Sequence, residues 1–312
     1  MDWEVRRYGA EDAEAWNKFV GSTKQGTFLF LREYMDYHSD RFHDHSLMIF
    51  RHGHLFALLP ANVDGKVLWS HQGLTYGGLL TNQKATVAAV CDIFAAVNAC
   101  LRLQGFVRVI YKPTPWIYHR LPSEEDLYAL TNVCDARLSV RHVATTLCNQ
   151  RLRFTESRKS GIRKAKVQGL TVCESNDLPA FWHILEDNLD RKYSAHPVHT
   201  LSEIQLLKAR FPDQIHLYLA MKDDKPLGGT LIYETPQVVH TQYISASNEG
   251  KSMGALDVLF DSLLHDRYAD VPYFDFGKSS NGDGHDLDRS LIFQKEGFGG
   301  RAVCYDWYEY DL

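Results

Sequence analysis

Ile215-His-Leu-Tyr-Leu-Ala-Met221, Leu227-Gly-Gly-Thr-Leu-Ile-Tyr233 and Val238-Val-His-Thr-Gln-Tyr-Ile-Ser245 follow one another with only Lys222–Pro226, turning at Asp223-Asp-Lys225, and Glu234–Gln237 between them. Runs rich in β-branched and aromatic residues, separated by short polar turns, read as a three-strand antiparallel meander. Asn248-Glu-Gly-Lys-Ser-Met-Gly254 comes next. Met253, Leu256, Leu259, Phe260, Leu263 and Leu264 then recur at helical spacing on one side. Tyr273-Phe-Asp-Phe276 reads as the strand after that helix. The expected order is therefore meander, turn, helix, strand.

The first half repeats this order in pattern, not in residue identity. Ser46–Phe50, His54–Pro60 and Val67–His71 read as a meander turned at His52-Gly53 and Asp64-Gly65. Gly73-Leu-Thr-Tyr-Gly-Gly78 follows, then a helix bearing Val87, Val90, Cys91, Phe94, Val97 and Leu101, and a buried strand over Phe106–Tyr111. Pairs of short amphipathic helices precede each meander: Glu11–Val20 with Arg32–Ser39, and Leu178–Arg191 with Leu201–Arg210. Between the halves, Pro122–Leu138 reads as a helix and Val140–Cys148 as a strand. The expected division is 1–148 and 149–312, an α/β (α+β) protein of two tandem units, each a mixed sheet flanked by helices.

The 312 residues suffice for two domains. An apolar content of 45%, with 12% aromatic, supplies real cores and excludes general disorder. A net charge of −5 excludes a protein that coats nucleic acid over its whole surface, so DNA is not an expected partner. None of the six cysteines forms a C-x-x-C pair, which points away from a zinc ribbon or redox dithiol and towards reduced thiols. Met1-Asp-Trp-Glu-Val-Arg-Arg7 lacks an apolar h-region, and no run of about 18 apolar residues is present. The expectation is a soluble cytoplasmic protein without a transmembrane segment. The pairs His43/His45 and His52/His54 have few carboxylates nearby, so no metal is expected.

Three segments carry chemistry. Between Arg151 and Lys166 stand seven Lys/Arg and one acid, Glu156; Phe154, Arg158, Ile162 and Ala165 share a helical stripe. This is an amphipathic helix with a basic face, either a phosphate-binding surface or a solvated linker. Glu249-Gly-Lys-Ser-Met-Gly254 with Ala255 stands where a turn opens a helix, a place suited to phosphate; an ordinary helix start capped by Ser252 is the alternative. Phe276-Gly-Lys-Ser279 and Phe293-Gln-Lys-Glu-Gly-Phe-Gly299 lie near the C-terminus and read as closing strands of the second unit. Neither a G-x-S-x-G elbow nor a Walker A spacing occurs.

The meander–turn–helix–strand order resembles the GNAT acyltransferase fold. Two such units, together with Arg158-Lys-Ser-Gly-Ile-Arg-Lys-Ala-Lys-Val-Gln-Gly169, Gly73–Gly78 and the Phe276 and Phe293 segments, resemble the FemAB-like (FemABX) branch of that superfamily. The resemblance implies transfer of an acyl or aminoacyl group to an amine, with acyl-CoA as the donor. It places Glu249, Gly250, Lys251, Ser252, Gly254 and Ala255 at the CoA pyrophosphate, although Glu249 and Ser252 replace the family's cation or amide and its glycine. It makes Lys295 the residue for acceptor or oxyanion contact and Tyr243 the proton donor to the leaving thiolate. Tyr76, Arg191, Lys192, His199, Gly277, Lys278 and Ser279 are expected around the substrate, a small-molecule or cell-wall-precursor amine. Strict alternation along the third strand sets His240, Gln242 and Ile244 on one face, and Thr241, Tyr243 and Ser245 on the other. The branch's helical-hairpin arm is absent, and Asp288-Arg-Ser-Leu stands where Asn-x-Gly-Leu is usual. An aminoacyl-tRNA donor and a non-catalytic ligand-binding module stay open as alternatives.

Overall fold

The structure, a computed structural model, describes residues 3–193, 196–282 and 284–312, with only the backbone described for Lys192 and Tyr193. By their internal contacts these residues group into two compact units. One holds Met1–His142, Asn281–Asp286 and Cys304–Leu312; the other holds Val143–Ser280 and Leu287–Val303. The expected boundary at 148 falls at the end of the strand Arg137–Cys148.

In the second unit the meander forms as read. Ile215–Lys222, Lys225–Glu234 and Val238–Ala246 pair antiparallel in sequence, and Thr171–Ser175 adds an edge strand beside the first. Val238–Ala246 is followed in the sheet by Tyr273–Lys278, in parallel, and that strand pairs antiparallel with Ala144–Cys148. Each unit carries helices as well as mixed sheet. The helix Ala255–Ser262 buries Val258, Leu259 and Phe260 against Phe274, Phe276 and Phe298, the centre of this unit's core. Phe260 meets Phe276 edge to face at 4.8 Å, a preferred aromatic geometry.

The first unit departs from the expected repeat. Leu47–Arg51 and His54–Leu59 form a hairpin in a sheet completed by Trp3–Arg7 and Leu80–Thr81. Val67–Trp69 does not join it. It pairs instead with Asn62–Asp64 and, in parallel, with Arg108–Tyr111. Pro60 lacks an N–H and ends the ladder, so the chain leaves one sheet and enters another. The meander is thus split here, and the duplication is looser than the pattern suggests. The helix Val87–Leu103 covers a core of Leu47, Ile49, Phe94 and Tyr111. In Gly73–Gly78 the glycines serve close packing: a Cβ on Gly77 would lie 1.6 Å from the Ser70 carbonyl oxygen.

Two further expectations change. Phe293–Gly299 is not a strand: its first residues belong to a helix, Arg289–Glu296, begun by the Asp288 carboxylate accepting from Leu291 N–H at 2.9 Å. The helix expected over Pro122–Leu138 is confined to Glu125–Asn132.

Candidate functional site

The feature that organises the second unit is a split between two parallel strands. Val238–Ala246 and Tyr273–Lys278 pair only at Val238/Tyr273, Val239/Phe274 and His240/Asp275. Beyond His240 the register ends, and the backbone edges of both strands are released from each other. A β-bulge sits at the same place. Leu231 pairs with Tyr243 while Ile232 pairs with Thr241, so Gln242 is the extra residue. The bulge reverses the expected alternation. Paired residues share a face, so Tyr243 stands on the face of His240, and Thr241 on the other. The sequence reading of these faces is corrected accordingly.

On the His240 face lie the helix Leu178–Tyr193 and, further along the chain, His199. Trp182 meets the Tyr243 ring at 5.2 Å. The Tyr243 hydroxyl accepts the His199 backbone N–H at 3.2 Å and lies 2.7 Å from His199 Nδ1. Burial pushes the phenol up to about 12, so it is neutral at physiological pH.

At the split itself, Asp275 is fully buried. Its Oδ1 accepts from Thr146 Oγ1 and from the Gly277 N–H, both at 3.0 Å; its Oδ2 is 2.8 Å from His240 Nδ1. Gly277 has φ +69°, and a Cβ there would come within 3.0 Å of the His240 ring. Lys295, 4% exposed, donates from Nζ to the carbonyls of Gly277 at 2.9 Å and Lys278 at 2.6 Å. Burial pulls this ammonium down to about 8, against the opposing pull of Asp275 and Asp288. Lys295 therefore clamps the turn that ends Tyr273–Lys278. Lys278 is half-buried, and burial lowers its ammonium too. Ser279 is buried and gives its N–H to the Val143 carbonyl at 2.7 Å; its hydroxyl has no partner among the described residues.

The clamp has a pH signature. The folded chain loses the Lys295 proton at about 8, whereas an unfolded lysine keeps it to about 10.4. The burial penalty is fully present below 8 and is relieved as the pH rises towards 10. By linkage it amounts to about 3 kcal/mol. In Lys295→Met, the stability of wild type relative to the variant should therefore climb by about that much between pH 7 and 10.5 in denaturant unfolding. Parallel pH profiles would show that the charge is not buried as described.

The Glu249–Ala255 segment is a short helix, Asn248–Met253, broken at Gly254 with φ +81°, and then Ala255–Ser262. Ser247 caps it, accepting from Gly250 N–H at 3.0 Å; Ser252 is not the cap but donates to the Glu249 carbonyl at 2.7 Å. Gly250 and Gly254 are small for packing reasons: added Cβ atoms would meet Leu227 O at 2.1 Å and Gly161 O at 2.5 Å. Ala255 is buried, and Glu249 is exposed, paired with Lys225 at 2.6 Å. Lys251 reaches Asn188 Oδ1. The helix start opens on a cleft of about 630 Å³, rimmed by Arg191, Lys225, Ser247, Asn248 and Lys251. Arg191 pairs there with Asp187 at 3.2 Å, and the Lys192 side chain lies outside the described residues.

Tyr76 belongs to the first unit. It is buried, its hydroxyl 3.2 Å from Thr27 Oγ1 and its ring packed on Phe30 and Tyr118. The basic segment forms the expected helix, Glu156–Val167. Much of its charge is internally matched: Arg158 with Asp257 at 2.6 Å, Lys159 with Glu156 at 2.7 Å and Lys166 with Asp261 at 2.8 Å. Arg153 and Arg163 remain exposed beside a groove of about 480 Å³.

Residues 153–285 match the family model described as an acetyltransferase (GNAT) domain. In fold the whole chain resembles FemX, with TM-score 0.69 and 11% identity over 99% of this chain and 97% of that one. It also resembles the C-terminal domain of an assigned lysylphosphatidylglycerol synthetase from Agrobacterium fabrum, with TM-score 0.60 and 14% identity over 96% and 91% of the two chains. A tandem GNAT protein from the clavulanic acid biosynthesis pathway matches at TM-score 0.51 and 11% identity over 99% and 98%. No curated sequence matches this chain. The fold is of the two-unit GNAT type. Within it, the structural likeness is to the FemAB-like branch.

Proposed function

We propose that the second unit transfers an acyl group from an acyl-CoA thioester to an amine. The observation that carries this reading is the strand split at His240/Asp275, beside a helix start rimmed by cations. Released strand edges offer N–H and C=O groups to the amides of an extended pantetheine-like arm. The start of Asn248–Met253, with Lys225, Lys251 and Arg191 at its rim, suits phosphate. Glu249 pairs with Lys225 and Asp187 with Arg191, so part of the rim's positive charge is matched within the protein. The thioester supplies the activated acyl carbon; the protein's part is to orient it and stabilise charge.

Tyr243 is suited to that second task. With the proton of His199 on Nδ1, the phenol oxygen accepts both bonds from His199, and the phenol's role in this reading is to donate its own hydrogen to developing negative charge. A phenol near 12 does not readily surrender its proton to a thiolate of ordinary basicity, so it acts as a hydrogen-bond donor. Lys295 acts indirectly, by fixing Gly277 and Lys278.

The amine could be small or part of a cell-wall precursor. FemX and the synthetase domain support acceptors or donors of larger kinds only by fold. The test is thermal shift with acetyl-CoA and longer acyl-CoAs. Binding to the native state at 100 times the Kd stabilises it by about 2.7 kcal/mol. The shift should be present in wild type and reduced in Lys251→Ala. No shift with any acyl-CoA would overturn the donor assignment.

A further inference from the structure

We infer that His240, held by Asp275, is the group that takes the proton from the acceptor amine, an inference that rests on the acyl-transfer reading above. Four observations converge on this pair. It lies at the last register position before the strands part. Asp275 is wholly buried and its two oxygens are engaged by Thr146, Gly277 and His240, so the carboxylate is fixed in orientation. Its bond at Nδ1 leaves the lone pair of the neutral ring on Nε2, which has no protein partner among the described residues. The side chain keeps 11% of its surface exposed, and the position whose side chain would close over the ring is Gly277.

The bulge supplies the second half of the geometry. It sets Tyr243 on the His240 face, two residues further along the partner strand, with His240 opposite Tyr233 and Tyr243 opposite Leu231. A base and a hydrogen-bond donor then address the same side of the split. The step balances as follows. The amine nitrogen bonds to the acyl carbon while His240 Nε2 takes its proton. The bond from the acyl carbon to sulfur breaks with its electron pair on sulfur, and His240 returns the proton to that sulfur. Amine and thioester become amide and thiol, with no other reactant. Asp275 is a positioning residue in this scheme: it holds the tautomer and steadies the imidazolium.

The experiment has two arms on the full chain. Diethyl pyrocarbonate should modify His240 in the free protein, as read by peptide mass. Turnover should fall in step with that modification, and hydroxylamine should restore it. A His240 that resists the reagent while surface histidines react, or full modification with turnover retained, would overturn the inference. In the second arm, His240→Gln should lose at least about 100-fold in kcat, with KM and the acyl-CoA thermal shift held within threefold of wild type. A kcat within threefold of wild type overturns the base assignment and leaves the acyl-transfer reading standing. If His240→Gln does not fold, the first arm decides alone. If wild type moves no acyl group to any amine, the reading itself fails, and this inference falls with it.

Discussion

Tyr243→Phe is expected to lower kcat about 100-fold while leaving KM and acyl-CoA binding nearly unchanged. The substitution removes one hydroxyl and leaves the ring on Trp182, 5.2 Å away. In the proposed reading the phenol is a neutral donor to charge that exists only in the transition state; donors of this kind typically account for 10²–10³ in rate. The loss should fall on kcat because the ground-state thioester carries little charge for the phenol to meet. His199 also loses the acceptor for its backbone N–H and for Nδ1. Steady-state kinetics with one acyl-CoA and a saturating amine would read the effect. A kcat within threefold of wild type would make Tyr243 a packing residue, its hydroxyl serving only to hold the loop at His199.

Asp275→Ala is expected to cost about 4 kcal/mol of stability, the largest single effect foreseen in the second unit. The carboxylate is fully buried, and three donors converge on it: Thr146 Oγ1, Gly277 N–H and His240 Nδ1. A buried donor left without its acceptor commonly costs about 1–3 kcal/mol, and three donors are left so here. The nearby Lys295 ammonium would also lose the attraction that offsets part of its burial. Asp275→Asn keeps one acceptor oxygen and should cost distinctly less. Urea unfolding of the three proteins would show the ranking. A cost below about 1 kcal/mol for the alanine variant would mean that the strand junction does not depend on this carboxylate.

The second unit was largely legible because its signals are local. Apolar strands with polar turns between them, then helical spacing from Met253 to Leu264, fold as they read. The first unit misled because strand runs do not say which sheet they join; one proline at position 60 separated Val67–Trp69 from the hairpin before it. The short apolar run Leu291-Ile-Phe293 suits strand or helix equally, and the Asp288 cap settles it as helix. The bulge at Gln242 has no residue signature, so strict alternation put Tyr243 on the wrong face.

The site was legible in part. Lys295, singled out by its place before Phe-Gly-Gly, is a buried, constrained cation turned towards the Gly277 and Lys278 carbonyls. The glycines of the Glu249–Gly254 segment read as a phosphate loop, whereas in the fold Gly250 and Gly254 allow close backbone packing. Asp275 was the overlooked signal: a carboxylate between Phe274 and Phe276 in a buried strand must have partners. His240, one register step away, is its partner.

Acyl transfer from a thioester to an amine at the split of the second unit's sheet is what ties these residues together. Release of free thiol from acyl-CoA, followed with a panel of primary amines and paired with mass detection of the amide, tests it most directly. Thiol release is expected to depend on the amine and to run in step with amide formation, lost in His240→Gln and slowed in Tyr243→Phe. Amide formed only from aminoacyl-tRNA, with no thiol released from any acyl-CoA, would contradict it.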